Sequence, residues 1–452
     1  MNQEEVLTIM QMGHNCFITG PAGTGKSYVI NRYVKYLRAN GIMQIALTAT
    51  TGVAAAHING ITIHAWSGLY LDRAITKKTW KRIRERKEII ERITSTKVLI
   101  IDEISMMHSY QLDMIDHVCR KARGVNRPFG GIQVIMSGDF FQLTPVQGPD
   151  DPPAEFVVKS RAWSNMDPKI CYLTEQFRQD DDRLLKILNE IRTGRVSAHS
   201  RSLLKTRLNQ QLGPITNASH AQLHAINRSA NAINEDKLGR LKQDLVVYEM
   251  ISKGSPEAVK QLKNDCTASE KVCLKIGAMI MFTRNNFKKG YVNGAIGQVL
   301  AFDKLTGYPI VKTAAKKKII VGRETWTIEN GGMPMAEITQ IPLRLAWAIT
   351  VHKSQGMSLD TAVIDLRQAF VESMGYVALS RVRRLDGISL LGISRRALKV
   401  CPESIKLDRD LQEQARILSE QLRHSGKPSA YYVRKNTLKL MKRHETLLPI
   451  PV

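Results

Sequence analysis

The chain has 452 residues, 43% of them hydrophobic and 24% charged, which is enough to build about three cored units and excludes a single small module or a chain disordered throughout. Lys and Arg number 66 against 41 Asp and Glu, a net charge of +25 that favours an anionic polymer or surface as partner, nucleic acid ahead of acidic membrane. Six cysteines scattered without a CxxC pair argue against a disulfide scaffold or a zinc knuckle and for a reducing compartment. The acidic start lacks a signal-like apolar core, and no apolar run approaches the length a bilayer needs. The expected location is therefore the cytoplasm of a prokaryote or the nucleus of a eukaryote, with no membrane association.

Gln3 to Met12 reads as a helix, Cys16 to Thr19 as a buried strand, and Ser27 to Leu37 as a helix with Val29, Ile30, Val34 and Leu37 on its inner side. Ile42 to Thr48, Lys97 to Ile101 and Ile132 to Ser137 are further short apolar runs, each followed by polar or glycine-bearing sequence. Strands that feed helices in this order predict a parallel sheet covered on both faces, with ligand loops beyond the carboxyl ends of its strands. Lys77 to Arg92 reads as one exposed basic helix, either a solvated face laced by Arg–Glu pairs or a nucleic-acid contact. After Tyr172 a second unit opens with the stripe Leu184, Leu185, Ile187, Leu188 and Ile191, while 210–270 gives few boundaries. Residues 275–328 form short β-rich segments with glycines near the turns, a small barrel or curled antiparallel sheet that interrupts the second unit. Beyond Arg396 an amphipathic stretch, 405–422, precedes a basic tail carrying Arg434, Lys435, Lys439, Lys442 and Arg443.

Gly20-Pro21-Ala22-Gly23-Thr24-Gly25-Lys26-Ser27 matches GxxxxGK[ST] between a strand and a helix, the context in which backbone N–H groups cradle phosphates. In that pattern Lys26 neutralises the β- and γ-phosphates of ATP and Ser27 ligates magnesium. Val98 to Glu103 ends a strand on two acids: Asp102 suits the magnesium shell and Glu103 the attacking water, unless both merely cap the next helix. Gln142, in Ser137 to Pro145, can sense a γ-phosphate or its water, or can stabilise its own loop together with Asp139. Arg178 and Arg381 are candidate clamps for charge developing on the transferred phosphoryl group.

Together these residues resemble the ATP-dependent DNA helicases of superfamily 1, in their RecD and Pif-one branch. The likeness runs through Thr48 to Ala55, Gly60 to His64, Asp102 to Met106, Gly138 to Val146, Leu173 to Gln179, Ala346 to Gly356 and Tyr376 to Arg383. It implies an α/β fold of two RecA-like P-loop parallel-sheet domains, 1–172 and 173–396, with a wedge insertion at about 66–92 and an inserted small β-barrel at about 275–341. A basic extension, 397–452, follows. The resemblance makes Gln3 the adenine-recognising glutamine, sets Gly356 near the nucleotide, and gives the arginine positions to Arg178 and Arg381. Tyr291, in the KKGYVNG turn, stands where the family often has leucine. Thr50, Thr51, Gly52, His64, Thr350, His352 and Ser354 become DNA-backbone contacts; Trp66 becomes either a base platform or the cover of a domain seam. It further implies 5′-to-3′ movement on single-stranded DNA, action at single-strand/duplex junctions, G-quadruplexes or RNA–DNA hybrids, and a free monomer. Replication, recombination, repair and telomere maintenance are the roles it suggests. A translocase that does not unwind, and a non-catalytic DNA-binding architectural protein, are the alternatives.

Overall fold

A computed structural model describes residues 1–69, 72–142, 155–212, 221–265, 268–284, 286, 289–291, 293–313, 317–330 and 333–424. The chain divides into two compact units, the first built from Met1–Arg178 with the segment that begins at Pro402, the second from Gln179–Cys401. Among the described residues no helix is long and apolar enough to cross a membrane.

The first unit carries a sheet of β1 (Cys16–Thr19), β2 (Ile45–Ala49), β3 (Ile61–Thr62), β4 (Val98–Asp102), β5 (Gln133–Ser137) and β6 (Lys169–Tyr172). Its order is β3-β2-β4-β5-β1-β6, and every neighbouring pair is parallel. Every residue of β1, β4 and β5 is buried, which is why these strands appear in the sequence as unbroken apolar runs instead of alternating ones. The helices are α1 (Gln3–Gln11), α2 (Lys26–Ala39), α3 (Gly52–His57), α4 (Ile63–Ser67), α5 (Lys77–Glu85), α6 (Lys87–Ser95), α7 (Ser109–Arg123) and α8 (Arg161–Met166). Val6, Ile9 and Met10 of α1 and Val29, Ile30, Tyr33 and Leu37 of α2 share one core with Cys16, Ile18, Ile100 and Ile135 of the sheet. A capping box starts α1: Asn2 Oδ1 accepts from Glu5 N, and Glu5 accepts from Asn2 N.

The expected single exposed helix over 77–92 is two helices. Arg86, at φ −90° and ψ 89°, leaves helical geometry between α5 and α6, and Ile83, Ile89 and Ile93 are buried. Ile83 and Ile89 close on the end of α4, where a Cβ on Gly68 (φ +75°) would lie 2.8 Å from Ile89 Cδ1. The basic residues therefore flank a buried isoleucine stripe that anchors the pair, and Arg82 is held by Asp72.

The second unit begins with α9 (Asp182–Arg192) and α10 (Ala198–Lys205), continues through β7 (Ala221–His224) and α11 (Asn227–Gly239), and then enters an antiparallel insert. That insert comprises β8 (Val246–Glu249), β9 (Ile251–Gly254), α12 (Pro256–Asp265), β10 (Lys271–Leu274), β11 (Met279–Phe282), β12 (Ile296–Phe302), β13 (Pro309–Thr313), β14 (Lys318–Ile320), β15 (Glu324–Asn330), β16 (Met333–Gln340) and β17 (Leu343–Leu345). Its sheets are β10-β8, β14-β13-β12-β11-β17 and β15-β16-β9. The insert thus opens at Val246, upstream of the expected 275: the short apolar run of β8, Val246 to Tyr248, stands alone, and β9 adds no alternation, since all four of its residues are exposed. Tyr291 is a core residue here, stacked 4.3 Å from Phe282 with its hydroxyl donating to Glu324 Oε1 at 3.0 Å. The chain then completes a parallel sheet, β18-β7-β19-β20, with β18 (Ala348–Thr350), β19 (Ala362–Leu366) and β20 (Ile388–Ile393), and carries α13 (Met374–Leu379) between the last two.

The amphipathic stretch expected within a separate extension is α14 (Pro402–His424), which belongs to the first unit and packs along β6. Arg434, Lys435, Lys439, Lys442 and Arg443 lie outside the described residues, as do residues 143–146 of the Gly138 to Val146 stretch.

Candidate nucleotide site and nucleic-acid interface

Parallel strands put their carboxyl ends on one edge, so the loops after β1, β2, β4, β5 and β6 gather there. Main-chain bonds knit them: Gly138 N donates to Ile18 O at 3.1 Å, Leu173 N to Thr19 O at 2.9 Å and Thr50 N to Asp102 O at 3.2 Å. Gly20 (φ +132°) is obligatory, since a Cβ there would meet Leu173 O at 2.3 Å. Gly25 opens α2 in the left-handed region. Thr24 has no exposed surface and donates Oγ1 to Pro21 O at 3.0 Å; Ala22 is buried, and Pro21 and Gly23 are half-buried. Lys26 Nζ folds over the loop, donating to Gly20 O at 2.8 Å and Pro21 O at 3.1 Å, while Ser27 is exposed in the first turn of α2.

Gln3 Nε2 donates to Thr24 O at 3.4 Å and lies 2.3 Å from where a Gly25 Cβ would stand, which brings it beside the phosphate loop. Phe177 was not singled out by its sequence, although it lies inside the Leu173 to Gln179 stretch. Its N–H donates to Gly23 O at 3.0 Å, its ring comes within 3.7 Å of the same Gly25 position, and it is 62% exposed. Arg178, next along the chain, is half-buried.

Asp102 is buried and accepts from Ser137 Oγ and, at 2.9 Å, from Glu103 N. Glu103 adopts φ +54° before the short turn Ile104–Met106, and its side chain caps none of that turn's N–H groups, so the capping alternative does not describe it. Thr50 Oγ1 donates to Glu103 O at 3.0 Å. Asp139 does follow the local alternative, accepting from Phe141 N at 3.1 Å and from Gln142 Nε2 at 3.5 Å. Gln142 is 4% exposed, and its Oε1 has no hydrogen-bond partner among the described residues. A buried acceptor left open in this way calls for a ligand or a water.

On the same edge Thr51 Oγ1 accepts from Ala54 N at 3.2 Å, and Gly52 opens α3 with open space around its Cα. His64 is half-buried, 3.4 Å from Gln111 Nε2, and burial lowers its pKa. Trp66 is 1% exposed, enclosed as α4 packs on α6 and α7, so it offers no platform to a base.

In the second unit the loop after β18 carries the late motif. Thr350 is buried, and Ser354 has no exposed surface and donates Oγ to Val351 O at 2.7 Å. The expected backbone contact by Ser354 is therefore replaced by closure of its own turn. His352 is half-buried, with its pKa lowered by burial, and its ring lies 6.0 Å from and nearly parallel to that of Phe370, which is 49% exposed. Gly356 is exposed at φ +79°. Arg381 is 1% exposed, Nε donating to Val377 O at 2.9 Å and a terminal nitrogen to Ser380 Oγ at 2.8 Å.

Two cations beside His352 escaped the sequence reading. Burial lowers the pKa of Arg344, whose guanidinium has no hydrogen-bond or ion-pair partner among the described residues. Burial, with Arg344 adding like-charge repulsion, brings Lys353 down to about 8. Lys353 lies within the quoted Ala346 to Gly356 stretch, whereas nothing in the sequence marks Arg344 or Phe370. An ammonium so depressed opposes folding fully below about pH 8, and the penalty fades between there and its ordinary 10.5. Lys353→Met is accordingly expected to melt higher than the parent at pH 7 and to lose that advantage as the pH rises through this window. A melting difference that stays constant with pH would contradict the assignment.

A family model described as PIF1-like helicase matches residues 2–202. The ATP-dependent DNA helicase Pif1 of Psychrobacter is 37% identical over 89% of this chain and 69% of its own length. The chain spans 62% of the human ATP-dependent DNA helicase PIF1, to which it is 34% identical over 88% of its own residues. The crystal structure of Pif1 helicase from Candida albicans matches with a TM-score of 0.83 at 32% identity, covering 90% of this chain and 98% of that one. A Bacteroides Pif1 solved with ADP-AlF3 and single-stranded DNA matches at 0.70 and 28% identity, covering 91% and 96%. With the phosphate loop, the acidic pair and the Ala346 to Gly356 loop each at the carboxyl end of a parallel strand, and with relatives this similar over most of its length, the chain belongs to the PIF1-like helicase family.

Proposed function

We propose that the chain is an ATP-dependent DNA helicase that moves 5′-to-3′ on single-stranded DNA and opens duplex or folded DNA ahead of it. The observation that carries this reading is the buried Oε1 of Gln142, without a hydrogen-bond partner among the described residues, on the same strand edge as Lys26, Asp102 and Glu103. Phosphate oxygens would draw the Lys26 ammonium off Gly20 O and Pro21 O, leaving the loop N–H groups to hold the triphosphate. Gln3 and Phe177 flank the loop on the side where the base would rest. Glu103 orients the attacking water and takes its proton, Gln142 accepts from that water, and Arg178 and Arg381 offset charge developing on the phosphoryl group. Ser27 and Asp102 supply the hard oxygen donors that magnesium prefers, and the ion, when bound with ATP, would screen the β- and γ-phosphates. ATP binding and product release then alternately tighten and relax the grip on the strand.

For DNA, Thr50, Thr51, Gly52, His64, Thr350 and His352 follow the backbone, with Arg344 and Lys353 adding charge and Phe370 a stacking face. Named relatives are ATP-dependent DNA helicases, and the Bacteroides relative was solved on single-stranded DNA, which supports this partner. Single-strand/duplex junctions, G-quadruplexes and RNA–DNA hybrids are the substrates in view, with the free chain a monomer.

The test is ATP-driven opening of matched duplexes carrying a 5′ tail, a 3′ tail or none. Opening favoured by the 5′ tail is expected, and exclusive use of the 3′ tail would overturn the direction. Directional motion without strand separation would favour the translocase, and DNA binding without nucleotide binding the architectural protein.

A further inference from the structure

The helix that follows directly on the second unit in sequence plays no part in the steps above, yet it is fastened to three elements of the first unit that lead into nucleotide-site residues. Ser404, without exposed surface, donates Oγ to Phe140 O at 2.8 Å, two residues before Gln142. Further along α14, Tyr172 at the end of β6 donates its hydroxyl to Asp408 Oδ1 at 3.0 Å and accepts from Gln412 Nε2 at 3.2 Å. Near the far end, Ser419 Oγ and Arg423 Nε donate to Glu5 Oε1 at 3.2 and 3.1 Å, and Glu5 caps the start of α1 beside Gln3.

The Ser404 bond differs in kind, because its partner is the main chain of the sensor loop itself. Inside that loop the Asp139 carboxylate accepts from Phe141 N and Gln142 Nε2, and Asp139 O accepts from Gln142 N at 2.9 Å. Phe140 O is instead reached from outside, while the Phe140 ring is wedged 5.5 Å from Phe17 and 5.2 Å from Phe156. Gln142 Oε1 makes no bond of its own among the described residues, so its place follows from the Asp139 carboxylate that takes Gln142 Nε2 and from the main chain that Ser404 holds.

We propose that Ser404 is a positioning residue for ATP hydrolysis, clamping the Phe140 carbonyl so that the Gln142 amide stays where the attacking water needs it. The proposal rests on the sensor role given to Gln142 above. Nucleotide binding, which belongs to the phosphate loop and Gln3, is left to other contacts.

The experiment measures single-stranded-DNA-stimulated ATP turnover of the full chain, with kcat and KM separated, alongside melting temperature. Ser404→Ala should lower kcat about five- to tenfold, the scale of one buried hydrogen bond. Its KM should stay within about twofold. Ser404→Thr, which restores the hydroxyl, should recover most of the loss. Glu403→Gln, which loosens the adjacent 2.7 Å pair with Lys159 and removes no hydrogen bond to Phe140 O, should keep the parental kcat. In a Gln142→Ala background Ser404→Ala should add nothing further, a coupling that mere fastening of the helix would not produce.

A parental kcat in Ser404→Ala, an equal loss in Glu403→Gln, or fully additive losses with Gln142→Ala would each overturn the proposal. If threonine proves too large for the site, the double mutant still decides. A parent that turns over with DNA while Ser404→Ala matches it defeats this inference alone, whereas a parent indifferent to DNA defeats the functional reading beneath it.

Discussion

Glu103→Gln is expected to cut DNA-stimulated ATP turnover by about a hundred- to ten-thousand-fold, the range over which a positioned base acts, while leaving nucleotide affinity near the parental value. Glutamine keeps the shape and can still orient a water, but it cannot take the proton. The position also argues for chemistry over architecture. Glu103 is a non-glycine residue at φ +54°, its side chain caps nothing in the turn it precedes, and its carbonyl is pinned by Thr50 Oγ1 at 3.0 Å. Such backbone costs on the order of 1–3 kcal/mol and persists where the surroundings over-determine it. Steady-state turnover with a separate nucleotide titration tests this, and turnover within a few-fold of the parent would reassign the base.

Lys26→Ala is expected to weaken nucleotide binding about tenfold or more, the loss of charge-assisted bonds worth about 1.5–3 kcal/mol, and to lower turnover further because the same ammonium meets charge that grows during transfer. The folded-back ammonium supports this, since its carbonyl partners, Gly20 O and Pro21 O, belong to the loop that would cradle phosphate. Lys26→Arg should not rescue it, because a planar fork does not replace a compact point charge. Equilibrium titration with ATP reads the result. Unchanged affinity would mean that Lys26 stays on the loop carbonyls in the bound state and serves only as a brace.

The phosphate loop, the acidic pair and Gln142 of the candidate nucleotide site stand out in the sequence because each follows a strand buried on both faces. Such strands are unbroken apolar runs, and the polar residues that follow them mark the ligand edge: Gly20 to Ser27 after β1, Asp102 and Glu103 after β4, Gln142 after β5. Where burial comes from tertiary packing alone, the same reading failed. Nothing local separates the platform and the seam readings of Trp66, and only the packing of α6 and α7 on α4 encloses it. Ser354 has the chemistry of a phosphate ligand, but its hydroxyl closes a tight turn. The break at Arg86 carries neither glycine nor proline, and the exposed strand β9 has no apolar alternation to announce it. Arg344 and Phe370 flank the quoted Ala346 to Gly356 stretch on either side, and only the fold turns them toward its loop. The stripe of α14 promised a packing partner without saying which sheet would supply it.

The return of the chain at Pro402 sets a timetable for biosynthesis. Strands β1 to β6 leave the ribosome before residue 179, but the donor to Phe140 O and the buried Leu411 and Ala415 of the covering helix lie beyond 401. At about 5–20 residues per second, the intervening stretch takes on the order of ten to fifty seconds to translate. Throughout that interval a nascent first unit lacks both the cover of α14 and the Ser404 bond to Phe140 O, so the edge that carries Gln142 is completed only after the second unit has been made.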